Sequence, residues 1–428
     1  MRLLVSVSGV AAFALYFYGA RRSFTYDEAN TIGTFVREGD LLRPFRTQAV
    51  FNNHPIFSFA ETVIARISSP GEPWMRLLPA LLGAGTVALF AWWSGRRLGW
   101  VAALAGSAVL ATAPIFVIEV REARGYALVA FCALVASILL VDDVDTPAGR
   151  IGYAAAIAVG VGTHLYVLLV VLAHVGYLIA RRPIDRARLG GAAVGVALGG
   201  LAYLGLWRSM IDSARMRGHQ YHSEFASDVA KGLLGRSEVA RILLALLLVV
   251  AARDLLRRRE IVTALALPGV AVVGVWMVVQ PTDLYPRFLI AAVLPVAAAV
   301  AWTVCRHRWL LPVALVAAAA ALAAQHHDFQ VEPPIREAAQ LVAAARELGL
   351  RPCAMGYPAI GAYTEPPVRF TDVAQVPDCD VVVQVNTFGD EMMDRLRAHY
   401  PQHWVFRDQQ VVSTVPRSEL LDAFDGFG

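Results

Sequence analysis

Lysine is nearly missing from this chain of 428 residues: Lys231 stands alone against 37 arginines. Charge of either sign is scarce, at 17% of residues where a soluble domain carries roughly 25%. A chain that is 57% hydrophobic, with mean hydropathy +0.53, has more apolar surface than one water-soluble core can absorb. It reads as a polytopic α-helical membrane protein. Cysteine is rare too, with four in all. Cys132 and Cys305 lie in apolar runs, Cys353 and Cys379 near the C-terminus, and no CxxC or Cys/His spacing suits structural zinc. If that C-terminal tail lies outside the cytoplasm, Cys353 and Cys379 are a candidate pair. There is no internal repeat of helix-pair length, no low-complexity linker and no basic stripe of the kind that binds nucleic acid.

The long apolar runs are separated by short Arg-bearing loops. With about 20 apolar residues needed per spanning helix, spans are expected at 3–20, 74–95, 100–118, 126–141, 151–163, 165–180, 189–207, 239–252, 261–279, 287–304 and 309–324, about 11 in all. Several are short, and the pair around Thr163-His164 reads as partial or broken helices. With the N-terminus inside, Arg96, Arg97, Arg150, Arg181, Arg182, Arg186, Arg188, Arg253, Arg257 to Arg259, Arg306 and Arg308 all fall on the inner face. The outer face then receives 21–73, 119–125, 208–238, 280–286 and the tail. Charge divides accordingly: from Gln325 onward 8 Arg face 15 acidic residues, net −7, which leaves +11 on the remainder. The expected domains are 1–324 in the membrane and 325–428 as a small extracytoplasmic α/β domain.

Within the 21–73 loop, Ala29–Glu38 and Ile56–Ile67 read as short amphipathic helices lying in the interface, the second with Ile56, Phe57, Phe59, Ala60, Val63, Ile64 and Ile67 on one face. In the tail a helix opens after Pro333-Pro334, places Ala338, Leu341, Val342, Ala345 and Leu348 on one side, and stops at Gly349. Strands are expected at Cys353–Gly356, Val381–Val385, Trp404–Arg407 and Gln410–Val415, with a helix at Asp390–Tyr400. The tail holds no phosphate-cradling glycine loop and no nucleophile elbow.

Chemistry concentrates at the outer rim. Asp27 and Glu28 follow the first span directly; adjacent carboxylates beside low dielectric suit a catalytic base, or the positive first turn of a surface helix. Asn53, His54 and Pro55 close the same loop. Arg121 and Arg124 share a face if their segment is helical, and offer either a fork for a phosphate or local partners for Glu119 and Glu122. Tyr126 follows them, and Tyr285 and Arg287 stand at the mouth of a late span. His164 falls mid-membrane or at a helix break. A divalent metal has weak candidate ligands in Glu28, His54, His219 and His222, with no fixed spacing among them.

Taken together, Tyr26-Asp27-Glu28-Ala29, Asn53-His54-Pro55, Trp74-Met75-Arg76-Leu77-Leu78-Pro79, Arg121-x-x-Arg124-Gly125-Tyr126 and Tyr285-Pro286-Arg287-Phe288 resemble, in order and spacing, the C-type integral-membrane glycosyltransferases. The resemblance is to the family 39 group that includes protein O-mannosyltransferases and the lipid A aminoarabinose transferase. It departs where the family reads His-Pro-Pro, since Ile56 follows Pro55; Asp27 is untouched by that change. The resemblance implies a hexosyl- or pentosyltransferase of the cell membrane that uses a polyprenyl-phosphate-linked sugar, among membrane lipids, to glycosylate a lipid, polysaccharide or protein hydroxyl. It implies Asp27 as general base and Glu28 beside it. Arg121, Arg124, Tyr126 and Arg287 would bind the donor phosphate, and Asn53, His54 and Tyr285 would position the acceptor. A phosphate leaving group needs no general acid, so one carboxylate and cationic stabilisation suffice; a glycosidase would need two carboxyls. The competing class is a transporter or lipid flippase, which would put ionisable groups and interrupted helices at the bilayer midplane.

Overall fold

The computed structural model describes residues 1–47, 54–68, 70–142, 146–180, 184–216, 225–256, 285–326, 335–356, 362–363, 369–370, 379–385, 400–406 and 409–425. The chain forms two compact units, each drawn from separated segments. The first comprises Met1–Ala20, Pro44–Phe57 and Arg76–Gln330; the second comprises Arg21–Arg43, Ser58–Met75 and Val331–Gly428. The second unit thus unites most of the 21–73 loop with the tail.

The first unit is a helical bundle, the arrangement in which apolar runs satisfy their own backbone groups. Its helices include Arg2–Phe17, Glu72–Leu98 from Arg76 onward, Trp100–Thr112, Pro114–Val120, Tyr126–Val141, Pro147–Thr163, Val167–Ala180, Arg186–Gly200, Glu238–Leu256, Val293–Arg306 and Leu311–Ala323. Small residues set the packing, as expected where helices associate without a hydrophobic drive. Arg186–Gly200 lies so close to Pro147–Thr163 that a Cβ on Gly195 would sit 2.6 Å from the Ala154 carbonyl oxygen, and one on Gly199 2.6 Å from that of Ala158. Only glycine permits that approach.

Two breaks interrupt the expected spans. Ala113 is extended (φ −61°, ψ 124°) because Pro114 disfavours helix in the residue before it, and the chain turns by 63° there. His164 is extended as well (φ −156°, ψ 128°) and separates Pro147–Thr163 from Val167–Ala180; the broken helix expected at this point is present. Among the described residues two helices, Glu72–Leu98 and the run Pro286–Arg306, are long and apolar enough to cross a membrane, or three if the bent pair at Ala113 is one span. Four more apolar helices are shorter. The expected span at 261–279 lies outside the described residues, and the breaks leave several others below spanning length.

In the second unit, helix Ile335–Glu347 buries Ala338, Leu341, Val342 and Ala345, while Leu348, expected on the same side, is 38% exposed. The reason is the cap. Gly349 has φ +74°, its N–H donates to Arg346 O and that of Leu350 to Ala345 O, so the chain turns away at Leu348. The sheet runs β1 (Pro352–Gly356), β2 (Arg369–Phe370), β3 (Val381–Val385), β4 (Gln402–Phe406) and β5 (Gln409–Ser413), in the order β2-β1-β3-β5-β4. β1 pairs parallel with β2 and β3, and β5 pairs antiparallel with β3 and β4. A disulfide joins Cys353 of β1 to Cys379 before β3 (Cα–Cα 5.9 Å). Helix Arg417–Asp425 closes the chain and was not foreseen; the helix expected at 390–400 lies outside the described residues.

The amphipathic helix expected at Ile56–Ile67 is present as Pro55–Ile67. Phe59, Val63 and Ile67 are 37%, 39% and 84% exposed, while Phe57, Ser58, Glu61 and Thr62 are fully buried. Ser58, Glu61 and Thr62 face inward, and Phe59, Val63 and Ile67 of the apolar stripe face out. That polarity suits a helix lying against lipid rather than water.

Candidate active site

Two clusters carry the chemistry, one in each unit. The first begins at the Ala113 break. Pro114–Val120 ends at Arg121, and residues 121–125 form a turn before helix Tyr126–Val141. Because this segment is a turn and not a helix, the expected common face of Arg121 and Arg124 does not form. Arg121 Nη2 donates to Tyr18 O at 2.7 Å, which ties it to the end of helix Arg2–Phe17. Arg124 is 2% exposed, and its guanidinium lies 4.9 Å from the Tyr126 ring centre. Glu119 and Glu122 stand 4.0 and 3.9 Å from its Nη1, at the outer limit of ion pairing.

The Tyr126 ring meets His54 edge-on (5.0 Å between centres) and also His164 (5.5 Å). His54 precedes the Pro55 that starts its helix, and is 1% exposed. Room for it comes from Gly125: a Cβ there would sit 2.9 Å from His54 Nδ1 and 2.7 Å from Thr163 Cγ2. His164, freed from helix at its break, lies 5.2 Å from His54, 5.2 Å from Tyr166 and 5.3 Å from Phe288, and its Nδ1 accepts from Tyr166 N (3.2 Å). Tyr166 stacks on Phe288 at 4.3 Å. From the late segment, the Arg287 guanidinium lies 4.5 Å from the Tyr285 ring and 6.0 Å from that of Phe288. Four segments remote in sequence therefore converge on one aromatic cluster with two guanidiniums, buried at His54, Arg124 and Tyr126.

Electrostatics gives the cluster a preference. Burial first, then the neighbouring His164, Arg124 and Arg287, hold the His54 imidazole well below its usual pKa, with a backbone contact at Thr163 acting the other way. His54 is therefore neutral near pH 7. Two fixed guanidiniums beside neutral imidazoles attract an anion and repel a dication, so the surroundings of His54 do not fit a metal. Of the residues named from sequence, this cluster holds His54, Arg124, Tyr126, Tyr285 and Arg287. His164 was a candidate on its position alone. Tyr166 and Phe288 went unassigned, although each is a near neighbour in sequence of a residue that was flagged. Asn53, His219 and His222 lie outside the described residues.

The second cluster holds the carboxylates. Helix Tyr26–Thr31 starts at Thr25 with a reciprocal cap: Thr25 Oγ1 accepts from Glu28 N (3.4 Å) and Glu28 Oε2 accepts from Thr25 N (2.7 Å). Glu28 is fully buried and has a structural task, while Asp27 beside it is partly exposed. Sequence reading missed the third carboxyl. Glu61 of helix Pro55–Ile67 is fully buried, and burial together with the nearby Glu28 pushes its pKa well up. The signal was a lone carboxyl within an apolar helical pattern. Among the described residues no three His, Cys, Asp or Glu side chains form a group suited to a metal ion.

No family model matches the chain, and no curated protein matches it in sequence. Its fold does match solved structures of ArnT from Cupriavidus metallidurans. In the apo state the TM-score is 0.65 at 14% identity, and in the form bound to undecaprenyl phosphate it is 0.65 at 16% identity. Each match covers 96% of this chain and 98% of that one. The chain shares its fold with ArnT.

Proposed function

We propose that the protein is an inverting glycosyltransferase that moves a sugar from a polyprenyl-phosphate donor to a hydroxyl acceptor on the extracytoplasmic side of the cell membrane. The observation that carries this reading is the convergence of Arg124 and Arg287 on the aromatic cluster around His54 and His164. Arg124 is buried and Arg287 partly so, and a phosphate between them would receive charge-assisted hydrogen bonds from both. The fold shared with ArnT, a protein solved with undecaprenyl phosphate bound, supports the same donor class. The Cys353–Cys379 disulfide supports an extracytoplasmic tail, since such bonds persist in oxidising compartments.

In this mechanism Asp27 takes the proton of the acceptor hydroxyl as its oxygen attacks the anomeric carbon. The bond from that carbon to the phosphate oxygen breaks on the opposite face, with inversion. The departing polyprenyl phosphate carries its charge to Arg124 and Arg287 and needs no proton in the transition state. Tyr126, Tyr285 and Phe288 hold the guanidiniums by their ring faces, and neutral His54 offers one donor and one acceptor nitrogen. Glu28 fixes the first turn that carries Asp27.

The test is transfer by purified protein in bilayers supplied with polyprenyl-phosphate sugars. Wild type should release free polyprenyl phosphate in step with product. Asp27→Asn should lose about 10²- to 10⁴-fold in rate while inserting and folding normally, the usual contribution of a general base. Wild-type rates in that variant would remove Asp27 from the reaction. Movement of donor across the bilayer without release of polyprenyl phosphate would favour a flippase.

A further inference from the structure

The Asp27 helix is anchored at one point by three separate stretches of the second unit. Glu72 Oε1 accepts from Arg336 Nη2 (2.7 Å), Arg336 Nε (3.1 Å) and the Tyr363 hydroxyl (2.9 Å). The backbone N–H of Arg336 donates to Ser23 Oγ (3.0 Å), and that of Phe24 donates to the Tyr363 oxygen (2.7 Å). The Phe24 and Tyr363 rings lie 5.4 Å apart, and Ser23 and Phe24 are buried. One phenol thus accepts from the catalytic loop and donates to the base of helix Glu72–Leu98. Phe24 immediately precedes Thr25, the cap of the helix whose second residue is Asp27. Whatever fixes the Phe24 N–H also fixes where that helix begins and how it is directed.

We infer that Tyr363, backed by Arg336 and Glu72, is a positioning residue for Asp27, and that the tail serves transfer by holding the carboxylate loop in register. This rests on Asp27 as the base. The mechanics are simple. The helix runs on into the π-helical turn Ile32–Val36, whose buried side chains hold its far end, so the anchor at Phe24 sets where its first turn begins and with it the place of Asp27. Displacement of a reacting group by about 1 Å costs on the order of 10²-fold in rate. The tail then needs no catalytic motif of its own, in keeping with its sequence.

The experiment compares full-length wild type, Tyr363→Phe and Glu72→Gln in bilayers. Tyr363→Phe keeps the ring and removes the shared hydroxyl. It should lower kcat by about 10- to 10²-fold. The donor KM should stay within about twofold, because donor charge is met by Arg124 and Arg287, which this variant leaves intact. Backbone amide exchange across Phe24–Glu28 should accelerate in the same variant while the strands β1 and β3 keep their protection. A folded Tyr363→Phe with wild-type kcat, or with unchanged exchange at those amides, overturns the inference. Should Tyr363→Phe fail to fold, Glu72→Gln, which weakens the same junction from the other side, is read by the same two measurements. Failure of the base assignment is separate: Asp27→Asn would then stay active, and the anchor would be judged by amide exchange alone.

Discussion

Single residues divide into those that sequence pattern exposes and those whose task depends on their neighbours. Arg124, Arg287 and His54 stand out as polar groups bordering apolar runs, and the structure brings them to one cluster. Arg121 stood out equally, but its partner is a backbone carbonyl at Tyr18, which spacing cannot reveal. Glu28 and Glu61 show the same limit, since capping and burial decide their roles. Glu61 permits a sharp test. Its folded pKa is raised, so the native state binds a proton that the unfolded chain gives up at lower pH. The stability this lends is complete below the unfolded carboxyl value of about 4.3 and is lost as pH rises toward the folded value. Glu61→Gln, which stays neutral, should gain stability over wild type as pH rises from about 4.3 upward. Thermal unfolding across that range checks it, and a difference that is flat in pH would show that Glu61 stays ionised.

Elements were legible where local chemistry is strong. The helix after Pro334 with its Gly349 stop, and the valine-rich strands at 381–385 and 409–413, follow from periodicity and turn residues. The two-residue strand β2 is too short for any pattern. The amphipathic helix Pro55–Ile67 was legible from its apolar stripe, of which Phe59, Val63 and Ile67 are exposed, as on a helix that turns its apolar side to lipid. The close pairing of Arg186–Gly200 with Pro147–Thr163 was hidden in an ordinary run of Gly and Ala, because glycine in membrane helices marks packing and not breakage. Gly195→Val should force those helices apart and cost about 1–3 kcal/mol, the usual penalty of overpacking. A fall in the melting temperature of detergent-solubilised protein measures it; an unchanged value would mean that the pair has slack.

At the scale of the molecule, each unit is drawn from three segments far apart in the sequence, and no sequence pattern announces that. The loop at 21–43 folds with residues beyond 331, and His54 joins residues near 126, 164 and 287. Such long-range closure comes from tertiary packing and leaves no local mark. What sequence did supply was order: the motifs resemble, in their succession, those of the C-type glycosyltransferases, and the chain shares the fold of ArnT. The central claim is that the Arg124–Arg287 cluster receives a lipid-linked phosphate. Binding of polyprenyl phosphate, with polyprenol of the same length as control, should be measured by native mass spectrometry on nanodisc-embedded wild type and on the Arg124→Gln, Arg287→Gln double variant. The account predicts that wild type retains the phosphate lipid and not the polyprenol, and that the double variant binds it at least about 10²-fold more weakly. Equal retention of the phosphate lipid by the folded double variant would contradict it.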